Sequence, residues 1–410
     1  MKDKFDILII GNSAAGISAI KTIRKLNKDV TLGLIDREDC PAYSRVMTPY
    51  FLGKKCGQDG LFIADEKFYK DNNVYTIFGE AAVKIDLDRR AVMLERGKAV
   101  YFDKLIIGTG AEATTIDVTS SRCSVLRHMK DALILDQLFK TAKSVTAIGA
   151  GLVSLPVLSH LEHIDKNIEK NLIVASNRIF SRVLDKEASL ILENKLTKKG
   201  LNIYKNDDIV SFEEKDRLHL TLKSGKVLAT DTLLVGKGVT PNIKIAKDAG
   251  IDCNYGVLID DCCMTNVDGV YAAGDVAEGK DFITGEKLIQ GNWITAMEQG
   301  EVAALNALGY RTIYDGSIKN NTTEVFGYDI AVIGYYQDDA PKTETYYNEF
   351  TAKYRKIFLD SDDTIIGVTM LGNTNDAGVY YDMIRTREKV KKADFLSKFL
   401  TYADKLYRIA

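Results

Sequence analysis

Proline is scarce in this chain, with 5 in 410 residues, and so are histidine, with 4, and tryptophan, with 1. The few histidines share no metal-ligand spacing, so a histidine-built metal centre is excluded and no metal is expected. Cysteines stand at 40, 56, 123, 253, 262 and 263, and none forms a C-x-x-C pair. That argues against a paired-thiol redox centre and against a four-thiolate cluster. Cys262 and Cys263 are adjacent, a spacing that rarely closes a disulfide. They lie in a strand-like run and read as packing. No apolar run is long enough to span a bilayer. Met1-Lys2-Asp3-Lys4 leads directly into an apolar stretch without a signal-peptide pattern, so a cytoplasmic location is expected. The formal net charge of −2 gives neither a nucleic-acid surface nor a polybasic membrane anchor. What remains is a chain of soluble, globular composition, long enough for two or three domains with full cores.

The strongest local pattern opens the chain. An apolar run, Phe5 to Ile10, stops at Gly11. Small residues follow, Ser13-Ala14-Ala15-Gly16, and then apolar positions at helical spacing from Ile17 to Ile23. A second apolar run, Val30 to Ile35, ends at Asp36. This reads as strand, tight turn, helix, strand and acid. Gly11 permits the turn. Small atoms at 13 and 14 let a pyrophosphate approach the helix N-terminus, and Gly16 lets helix and strand pack closely. Asp36 follows Gly16 by about 20 residues, where a carboxylate accepts from an adenosine ribose.

The rest of the chain repeats that theme once and then departs from it. Arg37 to Tyr50 reads as a loop, followed by helical pieces including Asp65 to Asp71. Alternating strands from Gly79 to Phe102 suggest a small antiparallel meander, and Lys104 to Ile107 a further buried strand before Gly108-Thr109-Gly110. Val145 to Ile148 then enters a second glycine-rich turn, with Asn171 to Ala175 as partner strand and Lys186 to Lys199 as a helix. Val270 to Ala272 leads into Ala273-Gly274-Asp275. Trp293 to Leu308 is a helix with Gly309 as its stop. From about Arg311 the pattern turns to strands, closed by helical pieces at Ala377 to Thr386 and Ala393 to Tyr402. The expected fold is therefore α/β. Two Rossmann-like nucleotide-binding domains, the second inserted in the first, precede a C-terminal α+β domain.

Taken in order, Gly11-x-Ser13-x-x-Gly16 with Asp36, Ile107-Gly108-Thr109-Gly110, the second turn, and Tyr271-Ala272-Ala273-Gly274-Asp275 resemble the FAD-dependent pyridine-nucleotide oxidoreductases of the glutathione-reductase type. The likeness covers nearly the whole chain and is greatest to the NADH:rubredoxin reductase and nitrite-reductase-like branch. It implies an FAD-binding domain at 1–112 and 236–310, an NAD(P)-binding domain at 113–235 and an interface domain at 311–410. It places Gly11, Ser13, Ala14, Ala15 and Gly16 on the FAD pyrophosphate and Asp36 on the ribose. Arg37 and Val83 fall near the adenine, Thr109 and Gly110 at the crossing between domains, and Asp275, followed by Val276, at the ribityl chain or the pyrophosphate edge. NAD(P)H falls to Gly149, Gly151, Leu152, Val153 and Gly238.

Two departures set the expected chemistry. Disulfide reductases and NADH peroxidases of this superfamily carry a redox cysteine beside the flavin, and in the peroxidase and coenzyme-A-disulfide branch it lies three residues before the Pro-Tyr of the loop. Pro49-Tyr50 fix the register, and the position holds Val46. Without sulfur, the flavin is expected to pass electrons directly to an acceptor, with Arg45 and Tyr50 as the residues facing it. The second turn carries Ser154 for the third glycine and Pro156 for the usual glutamate, and no acid ends the partner strand. Arg178 nearby either meets the 2′-phosphate of NADP or is a plain surface residue. The resemblance thus implies an oxidoreductase moving electrons between NADH or NADPH and a ferredoxin- or rubredoxin-like iron–sulfur carrier through FAD. An NADH oxidase using dioxygen is the second enzymatic reading. A third is a flavoprotein subunit of a larger redox complex, with impaired nucleotide binding and the C-terminal domain as a docking or homodimer surface.

Overall fold

The computed structural model describes residues 3–349, 351 and 353–389. These residues form two compact units, one within Met1–Ala175 and Leu201–Ser317, the other from Ser176–Gly200 and the described residues after Ser317.

The first unit starts with β1 (Lys4–Ile10), α1 (Ala14–Leu26) and β2 (Leu32–Asp36). β1 is apolar and buried from Ile7 to Ile10, where it is an interior strand paired in parallel with a neighbour on each side. A one-turn 3₁₀ segment, Arg45–Met47, and α2 (Thr48–Leu52) stand where the sequence suggested loop as far as Tyr50. Pro49 sits in the first turn of α2, where a missing N–H has no helical partner to lose. α3 (Glu66–Asp71) is capped by Asp65, whose carboxylate accepts from Phe68 N at 2.7 Å. Then come β3 (Val74–Phe78), β4 (Ala82–Asp86), β5 (Ala91–Leu94) and β6 (Ala99–Ile107). The sheet order is β3-β2-β1-β6-β5-β4. The two strands expected at 98–102 and 104–107 are one strand, β6. It pairs antiparallel with β5 over Ala99–Tyr101 and parallel with β1 from Tyr101 to Ile107, past exposed Asp103, which does not break it.

β7 (Ala111–Ala113), β8 (Cys123–Val125) and α4 (Met129–Phe139) lead into β9 (Ser144–Ile148), α5 (Ser154–His160) and β10 (Glu169–Val174). After α6 (Lys186–Lys198) comes β11 (Leu201–Lys205), then a three-stranded antiparallel sheet of β12 (Ile209–Glu214), β13 (Leu218–Leu222) and β14 (Val227–Thr230), and β15 (Thr232–Val235). A second, all-parallel sheet has the order β11-β10-β9-β15-β8. The chain returns through β16 (Val239–Pro241), which pairs with β7, and α7 (Lys244–Asp248). β17 (Val257–Leu258), β18 (Val270–Ala272), β19 (Ala277–Lys280), β20 (Lys287–Leu288) and α8 (Trp293–Ala307) complete the unit, with β18 joining β6 of the first sheet. Cys262 and Cys263 lie in a turn rather than a strand. Cys263 is buried in the core, so packing remains its role.

In the second unit an antiparallel sheet runs β21 (Asn320–Val325), β22 (Tyr328–Gly334), β25 (Ile365–Leu371), β24 (Lys353–Leu359) and β23 (Lys342–Asn348), with α9 (Ala377–Arg385) and α6 against it. Buried Tyr354 donates to Asp185, the carboxylate that caps α6. The helix expected at Ala393 to Tyr402 lies outside the described residues. Among the described residues, no helix is long and apolar enough to cross a membrane.

Candidate functional site

Gly11 adopts φ +111°, and a Cβ there would lie 2.0 Å from the Gly108 carbonyl oxygen. A Cβ on Gly16 would lie 2.1 Å from the Gly11 oxygen. The two turns at the ends of β1 and β6 are therefore pressed together, and only glycine fits. Gly11 N donates to Ile35 O and Gly108 N to Ile10 O. Above them α1 starts with Ala14, Ala15 and Gly16, which leave its first N–H groups uncovered by long side chains. Ser13 occupies the N-cap position, but its hydroxyl does not cap the helix; it accepts from Arg45 Nη1 at 2.9 Å. A helix N-terminus with small residues, no side-chain cap and a guanidinium beside it fits a pyrophosphate. The FAD expected from the motif thus meets a donor set of the right chemistry.

Asp36 pins this turn. One carboxylate oxygen accepts from Asn12 N at 2.6 Å and the other from Glu38 N at 2.8 Å. Burial pushes its pKa up. Each oxygen keeps a second lone pair for a ribose hydroxyl. Asn12 is in turn held by Tyr69, whose hydroxyl donates to Asn12 Oδ1 at 2.9 Å.

Arg45 is drawn inward rather than exposed. Nη2 lies 2.6 Å from Glu38 Oε1, and Nε donates to the Arg127 carbonyl at 3.2 Å. Glu38 is the hub of this cluster, accepting also from Met129 N and Tyr43 Oη and facing His128 Nδ1 at 3.2 Å. Burial raises the Glu38 carboxyl. The His128 ring, the Arg45 charge and the Met129 N–H outweigh it and hold the group at about 2. Arg37 lies 2.6 Å from Glu112 Oε2. Val83 is half-exposed on β4. Tyr50 packs its ring 4.6 Å from that of His160.

At the crossing, Thr109 Oγ1 donates to Asn242 O, and Asn242 Nδ2 returns a bond to Thr109 O at 2.9 Å. Asp275 is paired with Arg127 at 2.9 Å, and that guanidinium passes close over Gly110. Val276 turns its side chain into the core, which leaves only its backbone to face a ligand. Gly274 N donates to buried Gln299 Oε1 on α8. Ala14, Ala15, Ala273 and Ala296 form a cluster of small residues against which Trp293 packs. Ala15 approaches α8 so closely that a Cβ on Gly300 would lie 2.3 Å from its carbonyl oxygen.

The second turn reproduces the first. Gly149 N donates to Ile173 O and Gly236 N to Ile148 O, and Gly149 adopts φ +95° with its Cβ position 2.2 Å from Gly236 O. Ser154, the replacement for the third glycine, is fully buried. Its hydroxyl fills the space where a Cβ on Gly236 would stand, 2.1 Å away. Pro156 falls in the first turn of α5. Gly151, Leu152 and Val153 are half-buried in the bend before that helix, and Gly238 takes φ +97° with open space around its Cβ position. Ala175 after β10 is exposed. Arg178 gives its guanidinium to the carbonyls of Leu184 and Ser181, so it is neither a free cation nor a plain surface residue.

Glu38, Glu112, Arg127, His128, Asn12, Tyr69 and Gln299 were not singled out by the sequence. Their partners are distant in the chain, and no spacing rule connects position 38 to position 128. The nearest signal was Asp131, which accepts from the N–H groups of Arg127 and His128 and marks a helix start.

The pyridine nucleotide-disulphide oxidoreductase family profile matches residues 5–300. The assimilatory nitrate reductase electron transfer subunit of Bacillus subtilis is 28% identical over 379 residues, covering 90% of this chain; the chain spans about half of that relative, 48%. The NADH-rubredoxin oxidoreductase of Clostridium acetobutylicum is 29% identical over 396 residues, covering 96% of this chain and 95% of the relative. A ferredoxin reductase structure from Rhodopseudomonas palustris superposes with a TM-score of 0.88 at 22% identity, over 100% of both chains, a likeness of fold.

Proposed function

Because the chain belongs to the pyridine nucleotide-disulphide oxidoreductase family, whose cofactors are FAD and NAD(P)H, we propose that it moves electrons between NAD(P)H and a one-electron iron–sulfur carrier of the ferredoxin or rubredoxin kind, without a redox-active cysteine. The observation that carries this reading is the loop before α2. Val46, half-exposed, stands at the position that the resemblance assigns to the redox thiol of the peroxidase-type relatives. Of the neighbouring thiols, Cys40 is pushed up to about 11 by burial and by the negative charges of Glu38 and Asp36. Burial also raises Cys56. Neither forms a thiolate readily near neutral pH, and the thiolate is the reactive species.

FAD, when bound, supplies the conversion between two-electron hydride transfer and one-electron steps. The protein binds and orients. Gly11 and Gly16 shape the turn, the first N–H groups of α1 meet the pyrophosphate, and Arg45 adds positive charge beside them. Asp36 accepts from the ribose. Asp275, aligned by Arg127, accepts from the ribityl edge, and Arg37 lies toward the adenine end. The matching bonds of the second turn support NAD(P)H at Gly149, Gly151, Leu152, Val153 and Gly238. We assign FAD to 1–112 and 236–310, the nicotinamide nucleotide to 113–235 and partner docking to 311–410.

The test is anaerobic stopped-flow mixing of the flavin-loaded protein with NADH or NADPH, followed by an oxidised carrier. Bleaching of the flavin and then reduction of the carrier is expected; failure of both nucleotides to bleach the flavin overturns the reading. A second reading, a flavoprotein subunit of a larger assembly, is favoured by the match to an electron transfer subunit twice this chain's span. It predicts slow turnover of the isolated chain with every small carrier.

A further inference from the structure

Arg45 reaches the first turn with every nitrogen of its guanidinium already engaged. Nη2 meets Glu38 Oε1 at 2.6 Å, Nε donates to the Arg127 carbonyl at 3.2 Å, and Nη1 donates to Ser13 Oγ at 2.9 Å. The Tyr43 ring lies against the group, its centroid 4.9 Å from Cζ. Only 23% of the Arg45 side chain and 15% of the Glu38 side chain are exposed. Glu38 is itself fixed from several segments. Its Oε2 accepts from Met129 N and from Tyr43 Oη, both at 3.0 Å, and its own N–H donates to Asp36 Oδ1 at 2.8 Å. Two edges of the guanidinium are thus spent on Glu38 and on the segment before α4. The third, Nη1, rests on the hydroxyl of the residue at the N-cap of α1. A long side chain that is free loses its rotamers when it closes on a ligand, and one that is already held does not. Glu38 also brings a negative charge beside that guanidinium, and by charge alone it would weaken the hold on an anion. Its position and its charge therefore act in opposite directions.

We propose that Glu38 is a positioning residue for the flavin pyrophosphate: it fixes Arg45 with Nη1 at the start of α1, and this orienting effect outweighs the repulsion of its own carboxylate. The inference rests on the reading of Gly11 to Gly16 as the FAD pyrophosphate site. Glu38 touches no part of that turn itself and acts through Arg45. Through its N–H on Asp36 it also ties the guanidinium to the carboxylate assigned to the ribose, so one short segment after β2 sets both groups.

The experiment measures the FAD dissociation constant of the holoprotein from the flavin fluorescence released on serial dilution. It is done at one neutral pH, where the Glu38 carboxyl, held at about 2, is ionised. Glu38→Gln keeps the shape and removes the charge; it should weaken FAD binding on the order of tenfold. Glu38→Asp keeps the charge and draws the carboxylate back by one methylene; it should weaken binding in the same direction. A role through charge alone predicts tighter binding for Glu38→Gln and no change for Glu38→Asp. Arg45→Met should also weaken binding, and in that background Glu38→Gln should change the constant by less than about twofold. A merely structural role, through Met129 and Tyr43, would keep its full effect there. If Glu38→Gln does not fold, Glu38→Asp carries the test alone and in the Arg45→Met background. Three results overturn the inference while leaving the FAD site standing. They are Glu38 variants that bind FAD as tightly as the natural chain or more tightly, a Glu38 effect undiminished by Arg45→Met, and an Arg45→Met chain with natural affinity. A natural chain that holds no FAD overturns the cofactor-site reading and this inference together.

Discussion

Glu38 shows how much of this site depends on single side chains outside any motif. Its carboxyl lies at about 2 in the folded chain, against an ordinary value of 4.5. The folded value is the lower one, so the group contributes stability above about pH 4.5 that disappears as pH falls toward about 2. The contribution is on the order of 3 kcal/mol. Urea midpoints measured from neutral pH down to about pH 3 should fall for the natural chain, and Glu38→Gln should lose much of that slope. The cysteines make the opposite case. With Cys40 pushed up to about 11 and Cys56 raised, alkylation with iodoacetamide near neutral pH should reduce carrier reduction by less than about twofold. A large loss would bring sulfur back into the mechanism.

Helices and turns are placed by what their smallest residues allow. α1 and α8 touch where Ala15 faces Gly300. Replacing Gly300 by alanine gains about 1 kcal/mol of helix propensity. The new Cβ, however, stands 2.3 Å from backbone, which cannot rotate away. Overpacking of that kind costs about 1–3 kcal/mol, and the steric term should win. A lowered melting temperature and faster flavin loss are expected together, since α1 carries the turn proposed to hold the pyrophosphate. The second turn makes a paired prediction. Gly236→Ala should destabilise the chain, because its Cβ meets Ser154 Oγ at 2.1 Å. In a Ser154→Gly background the same change should cost less, with a coupling of about 1–2 kcal/mol in a denaturation cycle. Additive effects would mean that serine and glycine do not share this space. The turn that reads as degraded is, on this geometry, compensated: Gly236 yields the room that Ser154 takes.

At the scale of the molecule, if the second turn holds the nicotinamide nucleotide as proposed, the choice of coenzyme falls to the residues just past β10. Discrimination between NADH and NADPH ordinarily uses an acid on the ribose or a free arginine on the 2′-phosphate. Here Ala175 supplies no acid, and Arg178 is bound to two carbonyls of its own loop. The kcat/KM values for flavin reduction by NADH and by NADPH should therefore differ by less than about tenfold. A hundredfold preference would show that a group elsewhere reads the ribose.

The sequence by itself determined the elements whose signals are local. β1, α1, β2 and the long helix α8 follow from apolar period, glycine position and caps, and the repeat at Gly149 follows from the same pattern. It also determined the family, because the order of short motifs survives without knowledge of contacts. Local period could not reveal that one strand, β6, serves three sheet partners, β1, β5 and β18, since strand pairing is a long-range choice. Nor could it reveal the contacts that bring together His128, Glu38, Arg45 and Ser13, which come from separate segments of the chain. A buried charge must be matched by whatever the fold brings beside it. Only tertiary structure decided that Glu38 and His128 would meet, and that a serine could stand where the second turn expects glycine.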